Sequence, residues 1–402
     1  MQSEGGDFMI LIQRLWRGAA MSAVMVAACF ALPVAAAGTK SIAYYALEDS
    51  SDTAYLIDWY GAGNKARVAG QGGASAATYV DDGTQRLLTL ATPLTETGLY
   101  TYDECGTVYA KWATRQLVVR DLPDGQAQTV QIGDFTQIGG CHDGEVTPFG
   151  SATDEGLGMK RLAMNARPAM DDLQYGLEIA GFSEDHLDFA ETSYAQDVVT
   201  FLDNRVRFRA TGDVVPAAIN AKKWLVMTLP QGDQRAFTRL AVNDTTQGET
   251  WLMAGWAKDQ ATWVIKLRVV KTLEGAGFGT VAQASRKWES GLFRGSRQPF
   301  FIYLYGDSTG ERVQKDLDAG TERRTPISEW GFQGLTLWQE RALGGDAVAT
   351  RRWQPLRNEG TKTRWVLESE SWVQDGVDKI QIKPRVNYYV DTGKAVPPTA
   401  AR

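Results

Sequence analysis

The sequence predicts a mainly β protein, built of antiparallel sandwich- or barrel-like modules with a short helical connecting segment. Two observations carry this. Short runs rich in Tyr, Val, Thr, Ile and Leu recur along the chain, and Gly- and Asp-containing breaks such as 61–64, 81–83 and 124–125 separate them. Ten of the thirteen tryptophans lie beyond residue 220, where strand signals resume after a more charged stretch.

Residues 1–37 read as a cleaved signal peptide. Arg14 and Arg17 form a positive start, 18–32 is an apolar run, and Pro33-Val34-Ala35-Ala36-Ala37 is a small-residue exit. The run is shorter than the roughly 20 apolar residues a membrane-spanning helix needs. The mature chain is therefore expected to begin near Gly38, to be exported to the periplasm or secreted, and not to span a membrane. Val26-Ala27-Ala28-Cys29 also resembles the lipobox of bacterial lipoproteins, and the alternative is a lipoprotein anchored at Cys29.

Residues 38–150 read as an N-terminal β domain. Asp82-Gly83 lies between the strand-like runs 77–80 and 86–90, and Asp124-Gly125 lies between 116–119 and 129–132, each pair reading as a hairpin. Cys105 and Cys141 alone remain after signal removal, and in an oxidising compartment such a pair reads as a disulfide. Closing a loop of about 37 residues contributes roughly 4 kcal/mol on the chain-entropy account.

Residues 151–196 change texture and read as a partly helical linker. Pro168 precedes Asp171 and Asp172, and Leu173, Leu177 and Ala180 then share a helical face. Two β modules follow, 197–280 and 281–395, with a helix expected over 281–288 and a flexible tail over 396–402. The second module reads as a possible duplicate of the first. Trp224 and Trp338 are 114 residues apart, as are Trp251 and Trp365, and Lys266-Leu267-Arg268-Val269 resembles Lys383-Pro384-Arg385-Val386.

The formal charge of −6 argues against nucleic acid, which favours a basic face. No phosphate-cradling glycine loop is present, so neither a nucleotide nor any other cofactor is expected. Gly306-Asp307-Ser308-Thr309-Gly310 satisfies Gly-x-Ser-x-Gly and resembles the opening block of GDSL-type esterases. Both families need a downstream histidine as base, and none follows His186, so a turn between strands over 301–305 and 311–313 is the better reading.

Three sets of residues remain as candidates. Glu368 and Glu370 alternate along one strand with Val366 and Trp372, and with Asp375 they are the carboxylates from which a glycosidic acid–base pair would be drawn. Trp256, Trp263, Trp330 and Trp372 are the tryptophans least tied to the apparent repeat and hence the candidates for stacking on a ligand. No metal is expected; His142, Asp143 and Glu145 are where one would bind if any did. The expectation is a non-catalytic binding or structural protein of the bacterial cell envelope, with a glycan or an envelope protein as partner. The alternatives are a carboxylate-dependent hydrolase of envelope or extracellular polysaccharide, and an outer-membrane barrel.

Overall fold

The computed structural model describes residues 40–397, apart from 48–50, 62, 104–105, 165–169, 171–175, 183–194, 222, 230–231, 233, 246–247, 258–259, 274, 345–346 and 375–376. The signal segment with Cys29, the first half of the helix expected after Pro168, Cys105, His186 and Asp375 lie outside the described residues; the second half of that helix is instead a turn at Gly176 and a strand over Glu178–Ala180, which pairs with strands on both sides. Within them the chain forms three antiparallel barrels in succession.

The first barrel uses β1 (Lys40–Ala46), β2 (Ala54–Tyr60), β3 (Lys65–Gly70), β4 (Gly73–Asp81), β5 (Arg86–Asp103), β6 (Gly106–Asp121), β7 (Gln126–Ile138), β8 (Val146–Phe149) and β9 (Leu157–Ala163). Each strand from β1 to β7 pairs with the next, β9 joins β7 to β1 to close the ring, and β8 hangs on the outside of β7. Both expected hairpins form. Between β4 and β5 the Asp82 carboxylate accepts from the amides of Thr84 and Gln85, while between β6 and β7 Asp124 and Gly125 adopt positive φ.

The second barrel is closed in chain order by β10 (Glu178–Ala180), β11 (Val198–Leu202), β12 (Arg205–Phe208), β13 (Val214–Ile219), β14 (Leu225–Thr228), β15 (Gln234–Thr245), β16 (Gly248–Ala257) and β17 (Gln260–Lys271). The third follows a single helical turn, α1 (Val281–Ala284), and consists of β18 (Arg286–Ser290), β19 (Phe300–Leu304), β20 (Gly310–Asp316), β21 (Thr321–Ile327), β22 (Glu329–Gln333), β23 (Thr336–Gly344), β24 (Ala347–Glu359), β25 (Thr363–Gln374) and β26 (Val377–Lys394). Its order is β21-β20-β19-β18-β26-β25-β24-β23-β22, so the sheet curls round until the edge strand β21 comes against β23, along a seam without a ladder. Across that seam the Trp330 amide donates to the Ser308 carbonyl (2.9 Å).

Thr39–Arg402 is one compact unit, and strand alternation explains how neighbouring barrels adhere. In β1, Ile42, Tyr44 and Ala46 fill the first lumen, while Ala43 and Tyr45 pack on Leu252, Ala254 and Val264 of the second barrel. This is why β1 reads as a continuous apolar run: both faces are covered. The buried Lys266 ammonium crosses the same junction to the carbonyls of Ala46 and Ser51, both at 3.0 Å. Between the second and third barrels, Val198 and Val270 meet Trp365, Val386 and Tyr388.

Several expectations change. The stretch 151–196 is more than a linker, since β9 within it closes the first barrel and β10 opens the second. The helix expected over 281–288 stops at Ala284, and Arg286 already starts β18. A capping box, Thr280 with Gln283, starts that turn; the Trp288 ring is then drawn into the third lumen, with its Nε1 donating to the Ala284 carbonyl (2.9 Å). The 114-residue spacing does not bring equivalent packing positions together. Trp251 lies in the second lumen, whereas Trp365 faces outward from the third barrel. A one-residue difference in register reverses every side chain of a strand, so matched letters here mark opposite faces.

Candidate ligand site in the third barrel

The third barrel differs from the others in what fills it. One mouth opens on a cleft of about 590 Å³ bounded by the loop 275–279, the turns 334–335 and 360–361, and the ends of β18, β24, β25 and β26. Phe278, Trp288 and Phe332 line its floor, and Gln283, Arg286, Asn358, Arg364 and Asp391 bring polar groups to its walls. Arg286 lies 3.6 Å from Asp391, and Arg364 is fixed by donating to the carbonyls of Thr361 and Thr363 (3.1 and 3.0 Å). Asn358 Oδ1 accepts from the Gly277 amide (3.2 Å), which ties the glycine-rich loop to the β24–β25 turn.

Beneath the cleft is an aromatic plug. Phe278 meets Trp288 edge-on (5.4 Å) and stacks on Trp353 (5.5 Å), and Trp353 packs on Tyr389 (3.9 Å between ring centres). The plug runs from the cleft floor at Phe278 and Trp288 to Tyr389, whose hydroxyl donates to Glu368.

Below the plug the lumen is ionic. Tyr389 Oη and Asn387 Nδ2 donate to Glu368 Oε2 (3.0 and 2.6 Å), and Arg351 lies 2.9 Å from the other oxygen of that carboxylate. Arg351 Nε and Arg312 Nη1 both donate to Glu370 Oε2 (2.6 and 2.8 Å), and Arg341 Nη2 donates to Oε1 (2.8 Å). Burial pushes the Glu370 carboxyl up, but the charges of Arg351 and Arg312 more than reverse this and hold it at about 2. Glu368 is likewise driven up by burial and brought below the ordinary carboxylate range by Arg351 and Arg385. Burial pulls the Arg312 guanidinium down to about 9, with repulsion from Arg351 adding to the shift.

These positions settle where the sequence candidates stand. The expected face of Val366, Glu368, Glu370 and Trp372 exists, but it points into the barrel. With Glu368 and Glu370 at 0% and 1% exposure and both ionised at neutral pH, neither meets substrate nor supplies the protonated acid that glycoside cleavage needs. The four tryptophans named for ligand contact are all interior: Trp263 lies in the second lumen, Trp330 in the third, Trp256 between the first and second barrels, and Trp372 is buried. Their large apolar area explains this, because barrels of this size are filled by side chains. His142 and Glu145 form an exposed pair (3.0 Å), and Asp143 accepts from the Gly139 amide (2.6 Å). Among the described residues no group of three His, Cys, Asp or Glu converges as a metal site would require. Ser308 is in the β19–β20 turn with φ 67°, beside Asp307, whose carboxylate accepts from the Thr309 amide (3.0 Å).

Sequence reasoning missed the cleft residues and the three arginines. Arg351 was within reach of it: a hairpin at Gly360 pairs Arg351 with Glu370 and Trp353 with Glu368 on adjacent strands. Arg312 was not, since it arrives from β20 across the lumen.

No protein-family model matches the chain, and no curated protein matches it. Among solved structures, it aligns with the WD40 domain of SCAP from fission yeast over 89% of this chain and 96% of that one, at 8% identity and a TM-score of 0.11. A superposition that loose carries no argument about fold or function.

Proposed function

We propose that the protein is an exported, non-catalytic binding protein of the bacterial cell envelope whose ligand sits in the cleft of the third barrel. The observation that carries this is the cleft itself: an aromatic floor packed on further rings, with five polar side chains on its walls. Its volume falls in the range typical of small-molecule sites, about 300–1,000 Å³. Phe332 and Trp288 under amide, guanidinium and carboxylate groups suit a sugar ring, with an apolar face below and hydroxyls around it. Of the carboxylates named for a hydrolase, Glu368 and Glu370 are engaged inside the barrel.

The outward faces support a soluble module over a transmembrane barrel. In β12, Arg205 and Arg207 are exposed while Val206 and Phe208 enter the lumen, and β21 exposes Glu322, Arg323 and Arg324. A membrane barrel has the opposite alternation. Export by the segment 1–37 and a Cys105–Cys141 disulfide complete the reading. An N-terminus near Gly38 in the periplasmic fraction, and a mass lower by about two protons before reduction, are the expected results.

The binding reading is tested with an array of envelope glycans, comparing the native chain with Phe332→Ala and Arg286→Ala. Retention on a glycan class, weakened roughly tenfold or more by either substitution, is expected. Unchanged retention in both variants would remove the cleft from the account.

A further inference from the structure

In the ionic layer of the third barrel, Arg312, Arg341 and Arg351 contact the carboxylates of Glu368 and Glu370. A buried guanidinium edge is costly unless something accepts its hydrogen bonds. Arg312 uses Nη1 on Glu370, and its Nε and Nη2 are buried without a protein partner. Those two nitrogens form the side-on fork of the guanidinium, the edge that grips two oxygens of one oxyanion in parallel hydrogen bonds.

A second group points the same way. Gln339 is fully buried, and neither its amide nitrogen nor its amide oxygen has a protein partner. It stands directly opposite Arg351 on the neighbouring strand, as Arg351 stands opposite Glu370, so the three occupy one row of the lumen wall. Arg312 meets that row from the other side of the lumen, opposite Thr325 on β21. Gln339, on β23, and Arg312, on β20 next to β21, thus both lie beside the seam where β21 comes against β23 without a ladder. Both groups need a partner, and both lie beside the break in the wall.

We infer that the third lumen binds one small oxyanion, a carboxylate or an inorganic phosphate, on the Nε/Nη2 edge of Arg312 and the amide nitrogen of Gln339, reached through the β21–β23 seam. The anion accepts hydrogen bonds from the Arg312 edge and from the Gln339 amide nitrogen, the buried donors that the barrel leaves open there. This site is separate from the cleft, with the Phe278–Trp353–Tyr389 plug between them, and it does not rest on the glycan reading.

The test follows the melting temperature of the full chain as acetate or phosphate replaces chloride at constant ionic strength, with isothermal titration of the same ions. A saturable rise with acetate or phosphate is expected, with affinity reduced roughly tenfold or more in Arg312→Lys, which lacks the two-pronged edge. Arg364→Ala, in the cleft, should leave the response intact. Gln339→Glu gives a reading independent of the titrations. It places a carboxylate where the bound anion would sit beside Arg312, so it should raise the melting temperature in chloride and abolish the response to added anion. A lumen that holds only water would show no saturable response, and Gln339→Glu would then destabilise the fold; either result overturns the inference. A saturable rise unchanged in both Arg312→Lys and Gln339→Glu would mean an adventitious ion only, and would overturn it equally.

Discussion

The second and third barrels are adjacent in the chain and comparable in strand number, yet they are filled by opposite means. Through the second lumen run Phe201, Phe208, Met227, Phe237, Trp263 and Ile265, an apolar core supplied by alternate residues of every strand. The third has an aromatic plug near one mouth and a layer of ion pairs beneath it. The ring of backbone hydrogen bonds does not dictate its filling. In the second barrel burial of apolar area dominates, and the buried Arg239 is held over the Trp251 ring (4.8 Å). In the third, stability depends on charges that must all be present together, and the cleft stands on the result.

The largest effect that separates the two barrels comes from removing one member of the ionic layer. Arg351→Met leaves Glu368 with one partner fewer and Glu370 without its shortest one, and is expected to cost about 3–5 kcal/mol in urea unfolding. Replacing Arg312, Arg341, Arg351, Glu368 and Glu370 together by apolar residues of similar volume should recover most of that loss, because the third barrel then resembles the second. If Arg351→Met costs less than about 1 kcal/mol, the layer does not hold the barrel together.

Acid gives a smaller and reversible version of the same comparison. Glu370 titrates at about 2 in the folded chain against an ordinary value of 4.5. A carboxyl depressed by folding contributes its stability in full above its unfolded value, and that contribution disappears as pH falls from about 4.5 toward 2. The expected loss is on the order of 3 kcal/mol, confined to the third barrel. Hydrogen exchange should show the amides of β24 and β25 opening before those of β16 and β17 as pH is lowered. Glu370→Gln should remove this difference, and an unchanged order of opening in that variant would break the assignment to Glu370.

How much of this was legible in the sequence depended on whether polarity and burial agreed. In the second barrel they do: Arg205-Val206-Arg207-Phe208 alternates as a strand with one wet face, and the structure has it so. In β25 they disagree. Val366, Glu368, Glu370 and Trp372 were rightly placed on one face, but two carboxylates in alternation signal solvent, and they turn inward because arginines meet them there, Arg351 and Arg341 from neighbouring strands and Arg312 from β20. This last partner lies 58 residues away and pairs across a lumen, so no local pattern contains it. β9 was missed for a related reason. Leu157-Gly158-Met159-Lys160 is short and mixed in character, and it is a strand because β1 and β7 offer it edges on both sides. The tryptophans misled by their size, which suits a sugar platform and a barrel filling equally well.

The smallest effect concerns the turns. Ser308 in the third barrel and Asn204 in the second both stand in hairpins at positive φ, 67° and 53°. For an L-residue with a β-carbon this conformation costs about 1–2 kcal/mol, less for asparagine, whose side chain bonds locally. Substituting glycine removes the strain but adds about 0.5–1 kcal/mol of backbone entropy to the unfolded chain. Ser308→Gly should therefore stabilise by about 0.5 kcal/mol, while Asn204→Gly should be neutral or slightly destabilising. Urea midpoints at constant slope measure both. The reverse order would mean that the Ser308 side chain does something in its turn that the backbone argument omits, and the Gly-Asp-Ser block would then need a reading other than a hairpin.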